Sequence, residues 1–312
     1  MRALVTGASG FVGGRLARHL RARGDEVRCL VRNPDGAAAR ALATEGFELH
    51  VGDVLEPQTI AGAGRGMDVA YYLVHSMGRG GDAADFAGLE HRAAAAFAGM
   101  AKQEGVQRVI YLGGLGDEPG SKHLQSRHYT AQQLDIHGPP LTYFRAAMVV
   151  GSGSESYRTL RYLVERLPAM IAPAWLTIKT QPIGIESVLE YLVQAPSVEA
   201  SAGREIQLGG PDVLSYGEML DAMAVALGKR PRPKIPVPFV TPWLSSLWIG
   251  LVTPVDAGVA RPLIEGLSTE TVVTDDSALR LFDIDPAPFA ATLRQALAED
   301  RGAPVGRAGA RL

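Results

Sequence analysis

The sequence predicts an α/β protein: a doubly wound parallel sheet with a smaller C-terminal substrate lobe. Three observations carry that expectation. Short apolar runs alternate with helix-period patterns through the first half, the runs are apolar on both faces, and the rhythm changes after Gly151. Strands buried on both faces read as unbroken apolar runs, and parallel neighbours need a crossover, usually a helix. Right-handed crossovers then place helices on both sides of one sheet.

The strand candidates are residues 2–7, 26–32, 47–53, 68–75, 108–114 and 141–151. Between the first two, Val12, Leu16 and Leu20 recur on one helical face, and Gly24 is the expected stop. Beyond Gly151, "TIKTQPIGIESVLEYLVQA" reads as a strand entering a helix, and "REIQLGGPDVLSYGEMLDAMAVALGK" repeats that pattern. There Ser215, with Glu218 three residues on, has the form of a capping box. "KRPRPKIPVPFVTP" is too rich in proline for a continuous helix and reads as a surface strap. These readings give a nucleotide-binding core over 1–151, a mixed α/β lobe over 152–300 with core elements returning near 175–210, and a loose tail over 301–312.

The formal net charge of −2 argues against bulk binding to nucleic acid. Cys29 is the single cysteine, so no internal disulfide forms, and its place in an apolar strand suggests a packing role. No uninterrupted apolar run reaches the ~20 residues of a membrane span. The nearest, Phe239 to Val255, is broken by Pro242 and Pro254. The opening "MRALVTGASG" lacks the layout of a signal peptide, and a cytoplasmic setting is expected. No metal-ligand set is singled out.

"VTGASGFVGGRL" places Gly7, Gly10 and Gly13 after a strand and at the opening of a helix. Glycines there let the backbone turn sharply and approach a pyrophosphate, while the helix N-terminus offers free N–H groups and partial positive charge. A glycine triplet alone is weak evidence, since tight turns also select glycine; the strand–loop–helix context strengthens it. Ser9, Phe11 and Val12 complete the candidate phosphate loop. The second strand ends in "CLVRNP", with Arg32 where a carboxylate would hold a ribose 2′-hydroxyl. A guanidinium matches a 2′-phosphate in charge and geometry, so NADP(H) is expected over NAD(H). A solvated strand-end arginine is the plainer alternative. In "VGDVLEP", Asp53 and Val54 are candidates for the adenine edge and face, with a helix cap as the other reading of Asp53.

Together "TGASGFVGG", "LVRNP", "VGDV", "YLGGLG", "LTYFRAAMVVGSG" and "TQPIGIESVLEYLV" resemble the short-chain dehydrogenase/reductase superfamily, in its atypical, NmrA-like branch. The resemblance covers roughly residues 1–228. It implies a Rossmann-type core, a nicotinamide cofactor, and either reduction or epimerisation of small molecules or a sensor role. The family's working triad is a serine ending strand five plus a tyrosine and a lysine four residues apart on the next helix. Tyrosine exchanges a proton with the substrate oxygen, and lysine lowers its pKa and holds the ribose. Here Gly113 and Gly114 stand at the serine positions, His123 at the tyrosine position and Arg127 at the lysine position. Arginine can hold ribose hydroxyls but does not titrate near neutrality; histidine, with a reference pKa of about 6.5, can donate a proton. A second register starts at Tyr129 with Gln133, which is a poor copy; there Tyr129 reads more naturally as packing.

Further candidates surround the expected nicotinamide end. His75, Ser76 and Tyr72 follow or end strand four, and alternation sends some of them into the core. The resemblance places Ala146 and Ala147 near the carboxamide and Gln181 toward the substrate, while Arg145 is a candidate for a buried ion pair. Trp243, Trp248 and Phe239 mark an apolar segment that suits packing, an oligomer surface or a wall for a hydrophobic substrate. "HRAAAAFAGMA" is small enough for close helix packing in a homodimer. The leading functional expectation is an NADPH-dependent reductase of a small, rather apolar carbonyl or enone. The alternatives are a non-catalytic NADP(H) sensor and, last, a nucleotide-sugar epimerase.

Overall fold

The computed structural model describes residues 1–74, 83–116, 122–167, 170–172, 174–236 and 269–302. His75, Ser76, Phe239, Trp243 and Trp248 lie outside the described residues, as does the side chain of His123.

Seven parallel strands form the main sheet: β1 (Arg2–Thr6), β2 (Glu26–Val31), β3 (Glu48–Val51), β4 (Val69–Tyr72), β5 (Arg108–Gly114), β6 (Leu141–Ala146) and, after shorter strands, β11 (Arg204–Leu208). Their spatial order is β11-β6-β5-β4-β1-β2-β3. Strand order reverses between β1 and β4, which opens a crevice at the carboxyl ends of the strands.

Alternation along each strand divides the core in two. Ala3, Val5, Tyr71, Ile110, Leu112 and Phe144 face α1 (Phe11–Ala22) and α6 (Ile185–Gln194). Leu4, Ala70, Tyr72, Val109, Tyr111 and Tyr143 face α3 (Ala83–Gln103) and α4 (Lys122–His137). Each fully buried large side chain contributes roughly 1.5–3 kcal/mol from removal of apolar surface from water. Cys29 is wholly buried in this core and its thiol is pushed up to about 12 by that burial, as a packing residue requires.

The chain departs from the sequence expectation at the end of the sixth strand. Residues 141–151 are not one strand: β6 stops at Ala146, the chain bends, and the short β7 (Val149–Val150) pairs instead with β10 (Ile183–Gly184). The place beside β6 is taken by β11, whose Ile206 and Leu208 are completely buried. Strand four also ends early, at Tyr72.

A third cluster of apolar residues joins α5 (Glu155–Arg166), α7 (Tyr216–Ala226) and α9 (Phe289–Gly302) through Tyr157, Met219 and Leu293. Helix α7 starts as expected: Ser215 accepts from the Glu218 N–H and the Glu218 carboxylate accepts from the Ser215 N–H at 2.6 Å. Polar contacts fasten α9 to α5 and α1. Asp300 accepts from Tyr157 Oη at 2.8 Å and pairs with Arg161 at 2.5 Å, while Arg15 of α1 bonds Glu299 at 3.1 Å and the Ser152 carbonyl at 2.9 Å. Of the strap, residues 229–236 are described, and within them Lys234–Pro236 forms strand β13 beside β8 (Met170–Ala172). No helix among the described residues is long and apolar enough to cross a membrane.

Candidate functional site

A cleft of about 800 Å³ opens along the carboxyl ends of the strands. Its first wall is the loop between β1 and α1. Gly7 sits at φ +63°, a left-handed conformation, and a β-carbon built on it would lie 2.5 Å from the Leu73 carbonyl oxygen. On Gly13 a β-carbon would come within 2.3 Å of the Gly7 carbonyl, so only glycine lets the helix seat this closely on the loop. Gly10 caps α1 without a side-chain partner, its own N–H bonding the Gly7 carbonyl at 2.8 Å. The N–H groups of Phe11, Val12 and Gly13 have no carbonyl a turn before them to bond, and they lie at the positive end of the helix dipole. Ser9, Phe11 and Val12 line the cleft together with the three glycines. This backbone cradle at the start of α1 fits a pyrophosphate.

Arg32 extends from the end of β2, exposed, at one end of the same cleft, and has no ion-pair partner among the described residues. Asp53 and Val54 follow β3. The Asp53 carboxylate accepts from the Leu55 N–H at 3.0 Å, and its backbone N–H donates to Thr59 Oγ1 at 2.8 Å. Asp53 therefore organises a tight turn, not the start of a helix, and Val54 is buried beneath it. At the other end lie Ala146, Ala147, Gly113, Gly114 and Arg127. The half-buried Arg127 side chain passes over the end of β5, with Nη1 3.8 Å from a β-carbon built on Gly114.

The structure thus brings Gly7, Ser9, Gly10, Phe11, Val12, Gly13, Arg32, Asp53, Val54, Arg127 and Ala146 to one cleft. Tyr129 is not among its lining residues. It stands half-exposed on α4 with its ring 5.3 Å from that of His91, a placement set by the turn of the helix away from the Arg127 face. Tyr72 is turned into the core between Phe97 and Tyr111, and burial raises its pKa far above the usual phenol range. Gln181 is occupied by backbone: its Nε2 donates to the Gly210 carbonyl at 2.6 Å and its Oε1 accepts from the Val273 N–H at 3.0 Å. It holds the segment after residue 269 against the lobe instead of reaching the cleft. Arg145 forms the buried ion pair expected of it, 2.6 Å from Glu205, and donates to the Gly116 carbonyl at 2.8 Å.

Among the cleft residues that sequence reasoning did not single out are Tyr216 and Thr271. Tyr216 is the first residue of α7 and packs edge-on against Trp175 with centroids 6.0 Å apart. No local motif marks either residue; the capping box at Ser215 was the one available signal that Tyr216 is rigidly placed.

Residues 7–138 match the family model described as NAD(P)H-binding. This segment is similar to an NAD(P)H-binding domain. Its strand order and glycine loop are those of a Rossmann-type fold. Over 299 residues the chain is 25% identical to the mitochondrial NADH dehydrogenase [ubiquinone] 1 alpha subcomplex subunit 9 of Arabidopsis thaliana, covering 92% of this chain and 74% of that one. Over 140 residues it is 32% identical to sterol demethylase protein B of Methylococcus capsulatus, covering 43% of this chain and 41% of that one. Among solved structures, the NADPH-dependent quinone oxidoreductase of Escherichia coli in complex with NADPH superposes with a TM-score of 0.73 at 17% identity, over 94% of this chain and 98% of that one. The last similarity is one of fold.

Proposed function

We propose that the protein is an NADPH-dependent oxidoreductase that reduces a small, rather apolar carbonyl, enone or quinone-like acceptor. The observation that carries this is the continuity of one cleft. It begins at the glycine loop and Arg32, passes the ends of β4 and β5, and goes on to Leu115, Leu124 and Met148 and then to Ser154 and Tyr216 of the second lobe. A site for the dinucleotide alone has no need of an apolar extension roofed by a second lobe.

When bound, the reduced nicotinamide supplies a hydride to the acceptor. The chain's residues supply the placement. The N–H groups opening α1 hold the pyrophosphate, Arg32 pairs with a 2′-phosphate, and Asp53 with Val54 holds the adenine. Arg127 takes the ribose at the lysine position, and Ala146 and Ala147 leave room for the nicotinamide ring. Bringing acceptor and cofactor together in a closed apolar site accounts for most of the rate in such a design.

A second reading is a non-catalytic NADP(H)-binding sensor or subunit. It draws on Gly113 and Gly114 at the serine positions, on Tyr129 outside the cleft, and on the resemblance to a respiratory-complex subunit. One experiment separates the two. Incubated with NADPH and a panel of quinones, aldehydes and enones, the protein is expected to oxidise the cofactor well above background. NADPH binding at micromolar affinity without turnover of any acceptor favours the sensor.

A further inference from the structure

The usual serine and tyrosine are missing, and the His75 and His123 side chains lie outside the described residues; among the described residues, the far wall of the cleft holds a candidate proton donor. The Tyr216 hydroxyl lies beside the side chains of Thr180 and Thr271, which pull its pKa down. The two threonine hydroxyls are 2.6 Å from each other, and all three side chains are buried. Tyr216 and Thr271 both line the cleft.

This cluster is built on fixed backbone. Thr180 and Thr271 form a parallel bridge, in which the Thr271 N–H donates to the Lys179 carbonyl at 3.1 Å and its carbonyl accepts from the Gln181 N–H at 3.0 Å. Tyr216 is locked by the capping box and by Trp175. The cluster also faces the catalytic edge of the sheet: the Thr271 methyl lies 3.6 Å from a β-carbon built on Gly116, two residues beyond Gly114. Nearby charges are paired, Lys179 with Glu218 at 2.8 Å and Lys234 with Asp221.

Counting protons shows what such a cluster can do. Three hydroxyls carry three protons, and a chain running threonine to threonine to tyrosine uses two of them internally. The phenolic proton is then free to point into the cleft. Once it leaves, the phenolate oxygen still accepts from a threonine, which stabilises the charge. Burial pushes the Tyr216 phenol up to about 12, and the threonine bonds pull the other way.

We propose that Tyr216, held by Thr180 and Thr271, donates the proton to the acceptor oxygen. This rests on the oxidoreductase reading. Hydride from the reduced nicotinamide adds to the carbonyl carbon, the C=O π pair moves to oxygen, and that oxygen takes the Tyr216 proton. The products are the alcohol, the oxidised nicotinamide and a Tyr216 phenolate, which regains its proton from water. An alkoxide is a stronger base than a phenolate, so the transfer runs downhill.

The test uses the full chain, NADPH and the acceptor the wild type turns over best. Tyr216→Phe is expected to lower kcat about 100-fold or more, the usual scale for a lost general acid, with NADPH affinity within about twofold of wild type by the energetics of an uninvolved residue. Thr180→Val with Thr271→Val, which keeps the shape if Tyr216→Phe misfolds, is expected to lower kcat about tenfold, as loss of one hydrogen bond to a charged group would. A readout independent of turnover is the infrared carbonyl stretch of an isotope-labelled aromatic aldehyde bound with the oxidised cofactor. In wild type it shifts to lower frequency, and in Tyr216→Phe the shift disappears. Wild-type turnover that persists in Tyr216→Phe, or an unchanged stretch, overturns the assignment of Tyr216 and leaves the oxidoreductase reading standing. A wild type that binds NADPH but reduces no acceptor overturns both.

Discussion

The ring of Tyr143 occupies the space that a side chain at Gly113 would need: a β-carbon built there lies 2.8 Å from the ring and 2.9 Å from the phenol oxygen. Gly113 is paired with Arg145 in the ladder between β5 and β6, so neither backbone can withdraw. Tyr143 in turn stacks on Tyr111 at 5.1 Å and is buried. Gly113→Ser should therefore not restore a family-like serine. It is expected to destabilise the fold by about 1–3 kcal/mol through overpacking, without raising turnover. Urea unfolding and NADPH oxidation check the two halves; a stable, faster variant would contradict the packing argument.

The glycine loop makes a stricter demand. A β-carbon on Gly13 meets the Gly7 carbonyl oxygen at 2.3 Å, and backbone cannot swing aside as a side chain can. Gly13→Ala is expected to move α1 off the loop and so scatter the N–H groups that face the phosphate. Calorimetric titration should show NADPH affinity falling at least about tenfold, the equivalent of roughly 1.4 kcal/mol. Retained affinity would mean that the cofactor lies elsewhere.

The contrast between these two glycines shows what the sequence made legible. Gly7, Gly10 and Gly13 act through spacing along one stretch of chain, and a local pattern reveals them. Arg145 was equally readable, because a charge in an otherwise apolar strand must find a partner. Gly113 and Tyr143 are thirty residues apart in the chain and meet only through strand register. Tyr216, Thr180 and Thr271 come from three separated segments, brought together by a two-residue strand pair and an isolated bridge that no periodicity announces. The bend after Ala146 was hidden for a related reason, since the apolar run continues while its hydrogen-bonding partner changes from β11 to β10.

The capping box that places Tyr216 has a pH signature. Hydrogen bonds from Lys179, and then from the Ser215 backbone and side chain, hold the Glu218 carboxyl down at about 2. In an unfolded chain a glutamate titrates at about 4.3. A depressed folded pKa adds stability above the unfolded value, and that stability drains away as pH falls through about 2. Glu218→Gln should thus be less stable than wild type at neutral pH, with the gap closing between about pH 5 and pH 2 by that linkage. Because Glu218 is exposed, the gap is small; Ser215→Ala, which removes the cap itself, is expected to cost about 1 kcal/mol. Thermal unfolding across that range would refute the linkage if the gap stayed constant.

In the function proposed above, Arg32 is the residue that selects the cofactor. It is exposed at the mouth of the cleft, at the end of β2, without an ion-pair partner among the described residues, so its charge is not committed to the fold. A carboxylate at the same place would repel a 2′-phosphate and instead bond the two ribose hydroxyls of NADH. Losing one charge-assisted hydrogen bond costs about 1.5–3 kcal/mol, equivalent to roughly 10- to 100-fold in affinity. Arg32→Glu is therefore expected to weaken NADPH by at least that factor and to leave NADH within a few-fold of wild type, because NADH carries no group for Arg32 to neutralise. Fluorescence titration of the two cofactors side by side gives the answer. Equal loss for both would show that Arg32 merely shapes the loop after β2, and would remove the basis for expecting NADP(H) over NAD(H).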